Sequence, residues 1–267
     1  MLSKVYYLLA FFFISISCII ANNSGKQLSI FHSNRVNQEL CFDSLYLPEI
    51  DSSEILICHY AYNLVYDESH EQAKWVFYKL DKSKLDGPIS RTDNFKIDPL
   101  IVSGSAHHED YRGSGFDRGH LAPAGDMTWS LKAMEESFYY SNMSPQKPSF
   151  NRGIWRKLET KTRKWVADFD SIYVTTGPIF DENMVSIGKG VSVPNFFYKA
   201  LIGFRDSTSL GLAFVLPNEG SKDNLKDYVI SIDSLERLTD IDFHSKLDIS
   251  VQNQVEKTVC ITCWKWQ

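Results

Sequence analysis

Phe116-Asp117-Arg118-Gly119-His120-Leu121-Ala122-Pro123-Ala124 places an imidazole three residues after a carboxylate and two after a guanidinium, with a glycine between. A lone histidine usually has no catalytic task. This one sits in a dense run of chemically distinct groups, and the chain is read outward from it. Downstream come Ser141-Asn142-Met143-Ser144-Pro145-Gln146, then Phe150-Asn151-Arg152-Gly153-Ile154-Trp155, then Leu158-Glu159. Upstream, residues 107–115 are dense in Gly, Ser, His and Asp and are expected as a loop. His107-His108-Glu109-Asp110 within it reads as an exposed cluster rather than a metal site.

Around this centre the chain alternates short β-type runs with a few helical stretches. Residues 55–66, 75–80, 171–176, 196–204 and 212–216 are strand-like. Residues 138–143 read as a strand broken by 145–148. Helical composition covers 126–137, 231–238 and 241–247, and 151–166 reads as a helix with Ile154, Trp155, Leu158 and Trp165 on one side. No repeat or low-complexity linker interrupts this order, so one mixed α/β domain is the simplest reading. With 43% hydrophobic and 23% charged residues, the 267-residue chain is no disordered, coiled-coil or collagen-like polymer. It can bury a core without staples.

The N-terminus carries Lys4 and then sixteen uncharged residues from Val5 to Ile20, which is short for a spanning helix. This reads as an export signal, with cleavage near Ala21, lipidation at Cys18 and an uncleaved anchor as the alternatives. Lipid on Cys18 would be the one route to membrane attachment. Export to a bacterial envelope implies an oxidising compartment. Cys41, Cys58, Cys260 and Cys263 are then expected in two disulfides, with three pairings open. A redox or zinc role for Cys260-Ile261-Thr262-Cys263 is the alternative. The expected divisions are a signal over 1–21, a lead-in over 22–54, a catalytic domain over 55–256 and a cysteine-containing tail over 257–267.

Charge is uneven. The net charge of −5 argues against a protein that coats nucleic acid everywhere. Yet Lys147, Arg152, Arg156, Lys157, Lys161, Arg163 and Lys164 face one acid, Glu159, within eighteen residues. A solvated helix face and a phosphate-binding ridge both fit such a run.

The ordered set of motifs resembles the DNA/RNA non-specific endonucleases, sugar-non-specific nucleases with a ββα-metal (His-Me finger) site. Asp117–His120 looks like that family's signature. The resemblance continues through Trp75-Val76-Phe77-Tyr78, Arg91 ahead of Phe95 and Asp98, Asn142 with Pro145-Gln146, and Asn151 with Trp155 and Glu159. It extends through Thr176-Gly177-Pro178-Ile179-Phe180, Val193-Pro194 with Tyr198-Lys199, and residues 213–218, covering roughly 55–247. It implies an α+β fold with a central antiparallel sheet flanked by helices. It further implies a Mg²⁺-dependent endonuclease, with Mn²⁺ or another divalent cation able to substitute. Single- and double-stranded DNA and RNA would be substrates, and a protein inhibitor is a candidate partner.

These residue types suit phosphodiester hydrolysis, which needs an activated water, charge neutralisation on phosphorus and a stabilised leaving oxygen. His120 is the expected general base, its other ring nitrogen held by an acceptor such as a backbone carbonyl. By resemblance Asn151 is the direct metal ligand. Glu159 lies eight residues on, about 80° around a helix and ~12 Å along it, which favours contact with the ion through water. Arg91 and Arg118 are candidates for gripping phosphate oxygens; an ion pair to Asp117 is the structural alternative for Arg118. Asn142 either positions the water or holds a turn. Arg152, Arg156 and Lys157 are expected to bind substrate. Little base readout is expected of a site that grips phosphate. A catalytically silent nucleic-acid-binding module and a narrower nucleotide phosphodiesterase are the competing functions. Gly-x-Ser-x-Gly, Walker and His-Glu-x-x-His patterns are absent from the sequence.

Overall fold

The computed structural model describes residues 41, 43–206 and 208–266. The expected export signal, Cys18 and lead-in residues 22–40 lie outside these. Among the described residues the strands are β1 (Leu56–Cys58), β2 (Asn63–Asp67), β3 (Gln72–Leu80), β4 (Asp117–His120), β5 (Met143–Gln146), β6 (Ser171–Ile179), β7 (Ser186–Ile187), β8 (Val191–Ser192), β9 (Phe196–Arg205), β10 (Thr208–Pro217) and β11 (Val229–Ile230). The helices are α1 (His108–Tyr111), α2 (Leu131–Glu136), α3 (Pro148–Phe150), α4 (Arg156–Trp165), α5 (Ile232–Thr239) and α6 (Ile249–Lys257). Seven strands form one antiparallel sheet in the order β1-β2-β3-β6-β9-β10-β11, and β4-β5 and β7-β8 stand apart as two-stranded ribbons. The fold is therefore α+β around a large antiparallel sheet.

The sheet is covered on both faces. Successive residues of a strand point to opposite sides, so Trp75 and Phe77 of β3 enter one core while Val76 and Tyr78 enter the other. The first core takes Ile232 and Leu235 of α5 and Val255 of α6, together with Leu47. The second takes Leu158 and Trp165 of α4, with Trp155 just before it and Trp264 from the tail. Fully burying one such side chain contributes roughly 1.5–3 kcal/mol. Gly211 of β10 matters for the α6 contact, because a Cβ there would fall 1.7 Å from the Val255 carbonyl oxygen.

Several segments differ from the sequence expectation. Residues 107–115 contain the short helix α1, started by Asp110 accepting a hydrogen bond from the His107 amide at 2.9 Å. The strand expected over 138–143 begins at Met143 and runs through Pro145, which pairs with Arg118. A two-stranded ribbon has only edge strands, so a proline without an N–H is tolerated there. The helix expected from 151 starts as a wide turn over Asn151–Trp155, where Gly153 leaves helical geometry (φ −103°, ψ −112°), and becomes regular at Arg156. Residues 241–247 are not helical. Asp240 closes α5 in the left-handed region, Ile241 and Phe243 are buried two apart, and the helix forms instead at Ile249–Lys257. The cysteines pair as Cys41–Cys58 and Cys260–Cys263, each with Cα atoms 5.3 Å apart. This selects one of the three open pairings and occupies both thiols of the Cys-x-x-Cys run.

Candidate active site

β4 and β5 pair antiparallel with Asp117 opposite Gln146 and His120 opposite Met143, and the chain then turns through α3 into α4. This strand–strand–helix unit brings Arg118, His120, Asn151, Arg152, Arg156 and Glu159 to one cavity of about 630 Å³. Gly119 lets the strands close, since a Cβ there would lie 2.2 Å from the Gln146 side chain. His120, Asn151 and Glu159 all line the cavity, with Arg91, Arg118, Arg152 and Arg156. Lys157 does not line it; α4 turns that side chain to solvent.

The His120 ring is held edge-on by Phe138 (centroids 4.9 Å apart) and Phe95 (5.9 Å). Its Nε2 is sealed from solvent and has no hydrogen-bond partner among the described residues, so the expected backbone-carbonyl tether is not formed. Nδ1 is left as the nitrogen accessible to a water in the cavity. Burial first, then the charges of Arg91 and Arg118, push the imidazole down to about 3. His120 is therefore neutral at physiological pH, the form a proton acceptor requires.

Asn151 sits at the start of the wide turn. Its Nδ2 donates to Asp117 Oδ2 at 2.9 Å. Its Oδ1 accepts no hydrogen bond among the described residues. A free amide oxygen on a residue that lines a cavity shared with Glu159 fits a hard divalent cation. Burial raises the Glu159 carboxyl to about 7, against the pull of Lys199.

The arginines divide by partner. Arg152 forks onto Asp117, with Nε at 2.8 Å from Oδ2 and Nη2 at 2.6 Å from Oδ1. The ion pair weighed between Asp117 and Arg118 is thus made by Arg152 instead. Arg91 Nε holds Asp93 Oδ1 at 2.6 Å. Arg118 and Arg156 make no ion pair among the described residues. Asn142 is buried outside the cavity, its Oδ1 accepting from Ala122 N (2.8 Å) and its Nδ2 donating to the Ala122 (2.9 Å) and Ser137 (2.8 Å) carbonyls. These bonds brace the turn directly after His120.

Beneath Glu159 lies a charged layer that the sequence reading did not single out as part of the site. Arg163 Nη1 pairs with the buried Asp126 Oδ1 at 2.6 Å. Lys199 of β9 is fully buried, its Nζ without a hydrogen-bond partner among the described residues and 4.9 Å from the Trp155 ring centroid. Two signals were available. Arg163 stands four residues after Glu159, one helical turn away, and Lys199 is the single charge within the apolar run Phe197–Phe204.

A histidine on the first strand and an asparagine entering the helix, in a cavity walled by guanidinium groups, define a nuclease-type ββα-metal fold. The chain belongs to the DNA/RNA non-specific endonuclease family, whose model matches residues 47–250. It is 37% identical to human mitochondrial Nuclease EXOG over 211 residues, 72% of this chain and 57% of that protein. Bovine mitochondrial Endonuclease G is 36% identical over 199 residues, 68% of this chain and 67% of that protein. Nuclease C1 of Cunninghamella echinulata is 36% identical over 208 residues, covering 71% and 82%. The chain thus spans little more than half the length of human EXOG. A solved EndoG, in complex with EndoGI and described as showing the mechanism of EndoG inhibition, superposes with a TM-score of 0.70 at 30% identity, covering 78% of this chain and 91% of that one.

Proposed function

We propose that this protein is an exported, Mg²⁺-dependent endonuclease that hydrolyses DNA and RNA to 5′-phosphate and 3′-hydroxyl ends. The observation that carries the reading is the convergence of the neutral His120 imidazole, the free Asn151 amide oxygen and the Glu159 carboxylate in one arginine-walled cavity. His120 accepts a proton from the attacking water as its oxygen bonds to phosphorus and the bond to the 3′-oxygen breaks, and that oxygen takes a proton from solvent water to give the 3′-hydroxyl. Arg118 and Arg156, free of ion pairs among the described residues, take the phosphate oxygens as charge accumulates, and the remaining Nη groups of Arg91 add to this. Asn151 Oδ1, with Glu159 acting through water, would hold the cation. When bound, Mg²⁺ supplies charge neutralisation at the leaving oxygen.

The concentration of guanidinium groups in the cavity wall, Arg91, Arg112, Arg118, Arg156 and Arg163 among them, supports a preference for backbone over base. Nucleic acid is the proposed substrate, and the EndoG/EndoGI neighbour supports a protein inhibitor as a further partner. The test is incubation with supercoiled plasmid and with RNA, in Mg²⁺ or EDTA, beside His120→Ala and Asn151→Ala. Cleavage of both polymers by the wild type in Mg²⁺ alone, lost in both variants, is expected. Equal cutting by all three proteins would remove the assignment. Binding without cutting would favour the silent module, and activity confined to mononucleotide diesters the narrower enzyme.

A further inference from the structure

Asp117 stands at the cavity wall, yet both its oxygens are already taken. Oδ2 accepts from Asn151 Nδ2 and from Arg152 Nε, and Oδ1 accepts from Arg152 Nη2 at 2.6 Å. With Arg152 donating to both of its oxygens, the carboxylate serves Asn151 only as an acceptor. It therefore dictates which end of the Asn151 amide faces it, and that must be the NH₂ end. The oxygen is left as the end of the amide without a hydrogen bond among the described residues, on a residue that lines the cavity. The fork of Arg152 matters twice. It fixes the plane of the carboxylate through two parallel bonds, and it fills the lone pairs that would otherwise let Asp117 take the cation itself.

We propose that Asp117, fixed by Arg152, is the positioning residue for the metal ligand: it sets the rotamer and flip of the Asn151 amide so that Oδ1 is presented to the ion. Arg152 on this account belongs to that device and not to the set that grips substrate. The inference rests on the proposed role of Asn151.

Two paired variants separate hydrogen bonding from charge. Asp117→Asn with Arg152→Met removes both charges but keeps an acceptor oxygen for Asn151. Asp117→Leu with Arg152→Met has the same net charge and nearly the same shape but no acceptor. Mn²⁺ binding to the whole chain, followed by electron paramagnetic resonance of the free ion, reads metal affinity without reference to catalysis. Thermal melts establish that each protein is folded, and Asn151→Ala serves as control. The first pair should bind Mn²⁺ within about threefold of wild type, and the second should lose tenfold or more. The Mg²⁺ concentration for half-maximal cleavage should move in parallel. Equal affinity in the two pairs, with Asn151→Ala impaired, would overturn the positioning role while leaving Asn151 a ligand. Unimpaired binding by Asn151→Ala would remove the reading on which the inference rests.

Discussion

The guanidinium carbon of Arg118 lies 3.8 Å from the centroid of the Phe95 ring. The same ring meets His120 edge-on, so one aromatic side chain orients both the proposed phosphate grip and the proposed base. Phe95→Leu keeps apolar bulk but removes the face that attracts the cation, an interaction of about 0.5–1 kcal/mol at a partly exposed site. We expect a two- to fivefold loss in kcat/KM on plasmid DNA with Tm almost unchanged. Steady-state kinetics beside a thermal melt check this, and full activity in Phe95→Leu would show that Arg118 needs no platform.

His120 gives a pH prediction with a definite sign. Its folded value is about 3, because burial and two arginines disfavour the imidazolium, whereas an unfolded histidine titrates near 6.5. Between these values the unfolded chain binds a proton that the folded one refuses, so the ring costs stability increasingly as pH falls below about 6.5. His120→Asn removes that penalty. By pH 4.5 its stability relative to wild type should improve by about 2–3 kcal/mol compared with the difference at pH 7.5. Urea melts at the two pH values measure this, and the His120 ring carbon resonances of the wild type should stay still down to pH 5. A ring that titrates near 6 would contradict the burial argument.

The site was more legible than the elements that build it. Asp117, Arg118, His120, Asn151 and Glu159 lie in short, chemically crowded motifs, and the cavity unites them. Most strands were readable too, but strand ends were not, and the single strand expected over 55–66 is the hairpin β1–β2. β3 and β6 are covered on both faces, so their side chains read as continuous apolar runs without the alternation that would mark where pairing stops. Residues 241–247 misled because their apolar positions seat in the core from an irregular turn, an outcome decided by tertiary contact. Lys199 was hidden for the opposite reason. Within an apolar strand a lysine looks like surface, and only the packing of Trp155 against it reveals an interior charge.

That interior charge leads to a third prediction. Burial pushes the Lys199 ammonium down to about 8, opposed by Glu159 and Asp126, and it pulls in turn on the Glu159 carboxyl, which burial has raised to about 7. Lys199→Met fills the same volume without a charge. A buried ammonium lacking a hydrogen bond is costly, so Tm should hold or rise. Glu159, having lost its cation, should titrate still higher and be protonated at neutral pH. Cleavage at pH 7 should fall at least tenfold and recover in part by pH 8.5. A pH–rate profile superimposable on that of the wild type would show that the two groups are not linked.

The lysines of α4 make the last prediction. Advancing 100° per residue, Lys157, Lys161 and Lys164 fall within an arc of about 60°, turned about 130° from the arc of Arg156, Glu159 and Arg163 that faces the cavity. Lys157 and Lys164 are exposed, and Lys226 lies near enough to help lower the Lys161 pKa, after burial and Lys164. This ridge cannot touch a phosphate seated at His120. It can meet a long polyanion that crosses the helix. Lys157→Glu with Lys164→Glu should therefore raise KM for plasmid DNA at least fivefold at moderate salt. It should also flatten the slope of log affinity against log salt by about 1.8, two phosphate contacts at ~0.9 each. A trinucleotide, too short to leave the cavity, should be cut at the wild-type rate. Kinetics on both substrates across a salt series decide the matter: an equal loss on both would place the lysines in the chemistry, and no loss on either would leave them a solvated face.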